Sequence, residues 1–80
     1  MEKSHRLKYQ TMIDHLASIR QLKGITQSNL SDCLGKPQSY VSKYENLERR
    51  LDLLEVIEIC ECLDYDITEL ISLLKPGAKL

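Results

Sequence analysis

Phenylalanine and tryptophan are absent from this 80-residue chain, and it holds only three glycines and two prolines. Without the two largest apolar rings, a core has to be assembled from Leu, Ile, Val, Met and the four tyrosines. No Gly-rich loop of the kind that cradles a phosphate is present. No wholly apolar run exceeds two residues, far short of the ~18 that a membrane span requires, and nothing resembles a secretory leader. The cytoplasm is therefore the expected compartment. Cysteine is scarce and odd in number, at Cys33, Cys60 and Cys62. Cys60 and Cys62 stand two apart on what reads as a helix, so they point to different faces and cannot easily bridge or share a metal. His5 and His15 lie on a separate segment with no ligand spacing. Free thiols and no metal site are expected.

What is present is one small domain. A chain of this length buries about 60–65% of the surface it exposes when unfolded, so its stability is marginal and a dimer interface would help. The net charge of −1 conceals two opposed halves. Residues 1–50 hold nine Lys/Arg and five Asp/Glu, a net +4; residues 51–80 hold two Lys and seven Asp/Glu, a net −5. One face is thereby suited to an anion and the other is not.

Apolar spacing predicts five helices and no strand, an all-α fold. Tyr9, Met12, Ile13, Leu16, Ile19 and Leu22 recur at the three-and-four interval of an amphipathic helix over 8–23, ended by Gly24. Thr26 is placed to cap a second helix, 27–34, with Leu30 and Leu34 inward and Gly35 as its stop. Pro37 suits the first turn of a third, running to about Glu45 with Val41 and Tyr44 inward. Asp52 and Glu55 read as a capping box for a fourth, 53–63, striped by Leu53, Val56, Ile57, Cys60 and Leu63. Asp66 and Glu69 repeat the device for a fifth, 67–74, closed by Pro76-Gly77. The expected organisation is a flexible 1–7, a domain over 8–75 and a flexible tail at 76–80. Tyr9, Tyr44 and Tyr65 read as core, and Asp14 and His15 as solvated surface.

Arg20, Gly24-Ile25-Thr26-Gln27, Leu30, Leu34-Gly35, Gln38-Ser39, Val41-Ser42 and Glu45, continued by Glu48-Arg49-Arg50, Leu53, Ile59 and Leu63, resemble the phage-repressor/Cro-type, or XRE-like, helix-turn-helix family over about residues 9–74. The resemblance implies a compact five-helix, lambda-repressor-like bundle with the motif in helices 2 and 3. Its third helix would enter the major groove of double-stranded DNA. It further implies that Gln27 binds a phosphate and braces Gln38, a reader of base edges. Ser39 and Lys43 would lie on the same exposed side, with Tyr40 and Ser42 beside them for backbone or thymine-methyl contacts. Arg49 and Arg50 would touch neighbouring phosphates. Arg20 and Glu45 would form a buried ion pair that ties helix 1 to the end of helix 3.

Two positions depart from the family. Leu47 stands where a glycine usually takes a left-handed turn, so either Asn46 takes the turn or the loop follows another path. Ser31 replaces the usual alanine between helices 2 and 3, with its hydroxyl able to bond a carbonyl one turn earlier. Ile67, Leu70, Ile71, Leu73 and Leu74 supply more apolar surface than one core-facing stripe needs. With the family's use of near-palindromic operators, this points to a homodimer through helix 5. The function expected is a transcriptional regulator, a repressor or controller protein; the other reading is a protein-interaction module such as an antitoxin or adaptor. No activated nucleophile or metal-spaced cluster appears, so no enzymatic activity, cofactor or small-molecule ligand is expected.

Overall fold

The computed structural model describes residues 3–75. Five helices follow one another: α1 (Lys3–Leu22), α2 (Gln27–Leu34), α3 (Ser39–Glu45), α4 (Leu53–Leu63) and α5 (Ile67–Leu74). The described residues contain no strand. α1 forms the spine, meeting α3, α4 and α5, while α2 packs on α3 and α4. The core draws on every helix: Ile13 and Leu16, Leu30, Val41 and Tyr44, Ile59 and Leu63, and Leu70 are all buried. Tyr44 is the largest of the fully buried side chains and does much of the filling that an absent Phe or Trp would otherwise do.

The caps explain most of the boundaries. Thr26 Oγ1 accepts from the Asn29 N–H at 3.0 Å, and Gly35 ends α2 in the left-handed conformation with φ 67°, satisfying orphan groups at both ends. The capping box of α4 is complete, with Glu55 N–H donating to Asp52 Oδ1 at 2.8 Å and Asp52 N–H to Glu55 Oε1 at 2.9 Å. Asp66 also caps α5, but through the Thr68 N–H and hydroxyl rather than through the reciprocal bond with Glu69. The expected tail at 76–80 and the Pro76-Gly77 stop lie outside the described residues.

Four expectations need correction. α1 begins at Lys3, not Lys8, because the preceding residues hold no Gly or Pro and lengthening a formed helix costs little even without packing; Leu7 accordingly stays exposed. The stripe of α4 is rotated: Ile59 is buried, Ile57 is half-buried, and Leu53 is 70% exposed. His15 is half-buried and shares a 2.8 Å hydrogen bond with the Tyr65 hydroxyl, tying α1 to the segment before α5. Cys33 and Cys62 are joined as a disulfide across α2 and α4, with a Cα–Cα separation of 6.1 Å. Their separation of 29 residues carries no sequence signal; the packing of α2 on α4 brings them together. Cys60 stays free and buried.

Leu47 itself takes the left-handed turn, with φ 63°. Glu48 N–H reaches Lys43 O at 2.8 Å and Leu47 N–H reaches Tyr44 O at 3.1 Å, the paired bonds of a Schellman stop. Two satisfied carbonyls hold the residue in a conformation that costs a side chain about 1–2 kcal/mol. Leu47→Gly should therefore raise stability by about 1 kcal/mol, part of the relieved strain being offset by a freer unfolded chain. Urea unfolding checks this; a destabilised variant would show that the leucine side chain holds the loop by packing instead.

Candidate nucleic-acid interface

α3 is only seven residues long, too short to be stable by itself. It exists because its inward face and both ends are held. Val41 and Tyr44 are fully buried. At its start, the Gln38 side chain makes no cap bond; the buried Ser31 hydroxyl takes that place from α2. Ser31 Oγ donates to Gln38 O at 3.3 Å and accepts from the Val41 N–H at 3.4 Å. This corrects the expected bond within α2, because the unpaired groups at the start of α3 are the nearer partners. At its end, Glu45 meets Arg20: Nε to Oε2 at 2.8 Å and Nη2 to Oε1 at 3.1 Å. Arg20 Nη1 also donates to Ile25 O at 2.8 Å, and Gln27 Nε2 donates to Glu45 Oε1 at 2.8 Å. The Arg20 and Glu45 side chains are 9% and 10% exposed, so the pair is largely withdrawn from solvent.

Gln27 is thus part of the ion-pair network and not the brace of Gln38. A carboxylate oxygen is the stronger acceptor for its amide. Gln38 is steadied by Ser28, whose Oγ accepts from Gln38 Nε2 at 3.0 Å. Ser28 was not singled out from the sequence; its only signal is a hydroxyl in the first turn of α2.

The outward side of α3 is open. Gln38, Ser39 and Lys43 are exposed and Ser42 is half-buried. Ser39 and Lys43, four apart, share one face and line a shallow depression with Lys36, Pro37, Tyr40 and Arg49. Lys36 is a second residue that sequence reasoning missed, hidden in the turn between the two helices. Three cations, Lys36, Lys43 and Arg49, border this concave surface together with Ser39 and Tyr40 and give it a positive potential.

Tyr40, expected to touch DNA, is 7% exposed and belongs to the core. Its ring stands edge-on to Tyr44 at 5.7 Å, with the Arg49 guanidinium 4.8 Å and the Lys36 ammonium 5.4 Å from its centroid. Burial, then the Glu55 charge, pushes its phenol up. Burial does the same more strongly at Tyr44, whose hydroxyl is buried without a partner.

Both loop arginines have partners within the chain. Arg49 Nη2 bonds Glu55 Oε2 at 2.8 Å, and the Arg50 guanidinium lies 4.1 Å from the Tyr9 ring centroid. The Tyr9 hydroxyl in turn accepts from the Leu51 N–H at 3.0 Å. Arg50 remains exposed and Arg49 half-buried. The Arg49 bond, then the Asp52 N–H, holds the Glu55 carboxyl down at about 2 against an ordinary 4.5.

On α5 the apolar residues divide. Leu70, expected at a subunit interface, is 2% exposed and buried in the core, while Ile67 and Leu74 are half-buried against it. Ile71 and Leu73 are exposed, as are Leu53 and Leu54 at the start of α4. Leu53 lines one cleft with Ile67, Ile71 and Leu74. No group of His, Cys, Asp and Glu able to hold a metal occurs among the described residues, and no described helix is long and apolar enough to cross a membrane.

A family model described as helix-turn-helix matches residues 16–70. The chain is similar to an XRE-family like protein from Pseudomonas syringae pv. tomato str. DC3000 whose structure is known, at 46% identity over 88% of this chain and 85% of that one, with a TM-score of 0.84. Among curated proteins there is no match.

Two predictions follow from this geometry. Arg20→Ala should cost about 3–5 kcal/mol by leaving the Glu45 carboxylate buried and unpaired; denaturant unfolding by circular dichroism measures it, and a loss under 1 kcal/mol would show that water replaces the guanidinium. Glu55 adds stability that is complete above pH 4.5 and is lost as the pH falls toward about 2, since its carboxyl is harder to protonate in the folded chain. Between those pH values Glu55→Gln should unfold with a shallower pH dependence than the parent.

Proposed function

This chain belongs to the XRE-type helix-turn-helix family, a DNA-binding regulatory fold, and on that premise we propose that it is a cytoplasmic transcriptional regulator, a repressor or controller protein, whose α3 enters the major groove as part of a homodimer. The observation that carries the reading is the open polar face of α3, held from behind by the core and by the Arg20–Glu45 pair and edged by Lys36, Lys43 and Arg49.

Gln38 is the first base reader. Its amide can present donor and acceptor together to adenine, and Ser28 limits its rotamers before DNA arrives. Lys43, one turn along from Ser39, reaches guanine O6/N7 or a phosphate, and Ser39 and Ser42 contact the strand beside it. Gln27 keeps the phosphate role with the part of its amide that Glu45 leaves free. Lys36, Arg49 and Arg50 contact phosphates, which set register and affinity without reading sequence. The second subunit is joined through Ile71 and Leu73 of α5, with Leu53 and Leu54 alongside. Two α3 helices then lie about 34 Å apart, one turn of the duplex, on a near-palindromic operator.

Sites selected from a random duplex pool and then measured over a salt series test this. Lys43→Ala should lose about 1–3 kcal/mol at one operator position and relax preference there. Arg50→Ala should weaken all sequences alike and reduce the salt slope by about one phosphate. Negligible binding at low salt would overturn the regulator reading and favour a protein-interaction role for the same face.

A further inference from the structure

We propose that Cys33 and Cys62 form a reversible thiol–disulfide site through which low-molecular-weight thiols and disulfides set the stability of the paired helices α2 and α4. The inference goes beyond DNA binding and does not depend on it.

Three observations carry it. The two cysteines sit in the last turns of α2 and α4, with Cα atoms 6.1 Å apart, inside the range that a disulfide spans without moving the backbone. Neither is sealed in the core: Cys33 is exposed and Cys62 half-buried. Both open on a shallow depression lined also by Leu34, Lys36, Glu58 and Glu61, so a small thiol or disulfide can reach them. The third cysteine is the control within the same chain. Cys60 is buried, and burial pushes its thiol up, which suppresses the thiolate needed for exchange.

The position of the link gives it consequence. Its 29-residue separation encloses the turn, all of α3 and most of α4. Closing a loop of that length removes much of the freedom of the unfolded chain, and a small domain has little stability to spare. The exchange balances in two steps. The Cys33 thiolate attacks a small disulfide, RSSR, forming a mixed disulfide and releasing one thiolate, RS−. The Cys62 thiolate then attacks the Cys33 sulfur and releases the second. The protein loses two electrons and two protons, and RSSR becomes two RSH; excess dithiol runs the sequence backward.

The test equilibrates the full chain with oxidised glutathione or with dithiothreitol, counts thiols under denaturant and records thermal unfolding. One thiol per chain is expected after oxidation and three after reduction, with peptide mapping locating the bond at Cys33–Cys62. The reduced chain should melt roughly 10–25 °C lower. Cys60→Ser should keep the full response, whereas Cys33→Ser and Cys62→Ser should melt alike in both buffers. Three thiols after oxidation, a bond through Cys60, or equal melting of the oxidised and reduced parent chain would each overturn the proposal. The parent comparison decides it even if a serine variant does not fold.

Discussion

The buried contact between Arg20 and Glu45 is the constraint on which the geometry of this domain rests. It joins the end of the longest helix to the end of the shortest, and burying two charges is tolerable only because nearly every polar group on them is used. The guanidinium bonds both carboxylate oxygens and the Ile25 carbonyl, and the carboxylate takes a third bond from Gln27. Such a network adds little net stability beyond what an apolar pair of similar volume would supply. Its value is directional. A bidentate pair tolerates little rotation, so the angle of α3 relative to α1 is set at one end by charge and along its length by Val41 and Tyr44.

Since the inward face, the Ser31 hydroxyl and the Schellman stop together hold α3, its outward side chains are free of structural duty. Gln38, Ser39 and Lys43 can differ among relatives of this fold without loss of the helix. The loop that follows is held in a comparable way by its own cations. Arg49 lies between Glu55 and the Tyr40 ring, and Arg50 rests on Tyr9, so the residues proposed to contact phosphates also brace the chain that carries them. A guanidinium can do both because its planar face stacks while its edge still donates.

Much of this was legible in the chain itself. Five helices, the Thr26 cap, the Asp52–Glu55 box, the Gly35 stop and the Arg20–Glu45 pair all rest on short-range pattern or on a family-specific spacing, and those signals survive folding. What could not be read depends on which faces meet. Tyr40 has the helical phase of a surface residue, yet Arg49 and Lys36 lie over its ring and it is 7% exposed. Leu70 looked available for a partner because periodicity counts apolar residues without saying how deep each one goes. Ser28, Lys36 and the Cys33–Cys62 pair have no local pattern at all. Leu47 is a different case. A rule based on steric cost was right about the cost and wrong about the outcome, because two carbonyl bonds outweigh 1–2 kcal/mol of strain.

The near-zero net charge is no obstacle to meeting a polyanion once distance is considered. The described residues extend 38 × 26 × 21 Å, whereas charges at physiological ionic strength are screened beyond about 8 Å. An anion at α3 therefore responds chiefly to the charges that line its depression, Lys36, Lys43 and Arg49. The acidic stripe of α4 is nearer, for Glu58 and Glu61 share a depression with Lys36, and there it opposes the basic edge. That opposition limits where an anion can sit: it is favoured over Ser39 and Lys43 and repelled as it moves toward α4. Charge of both signs on one small surface thus sets the position of a ligand as well as its attraction.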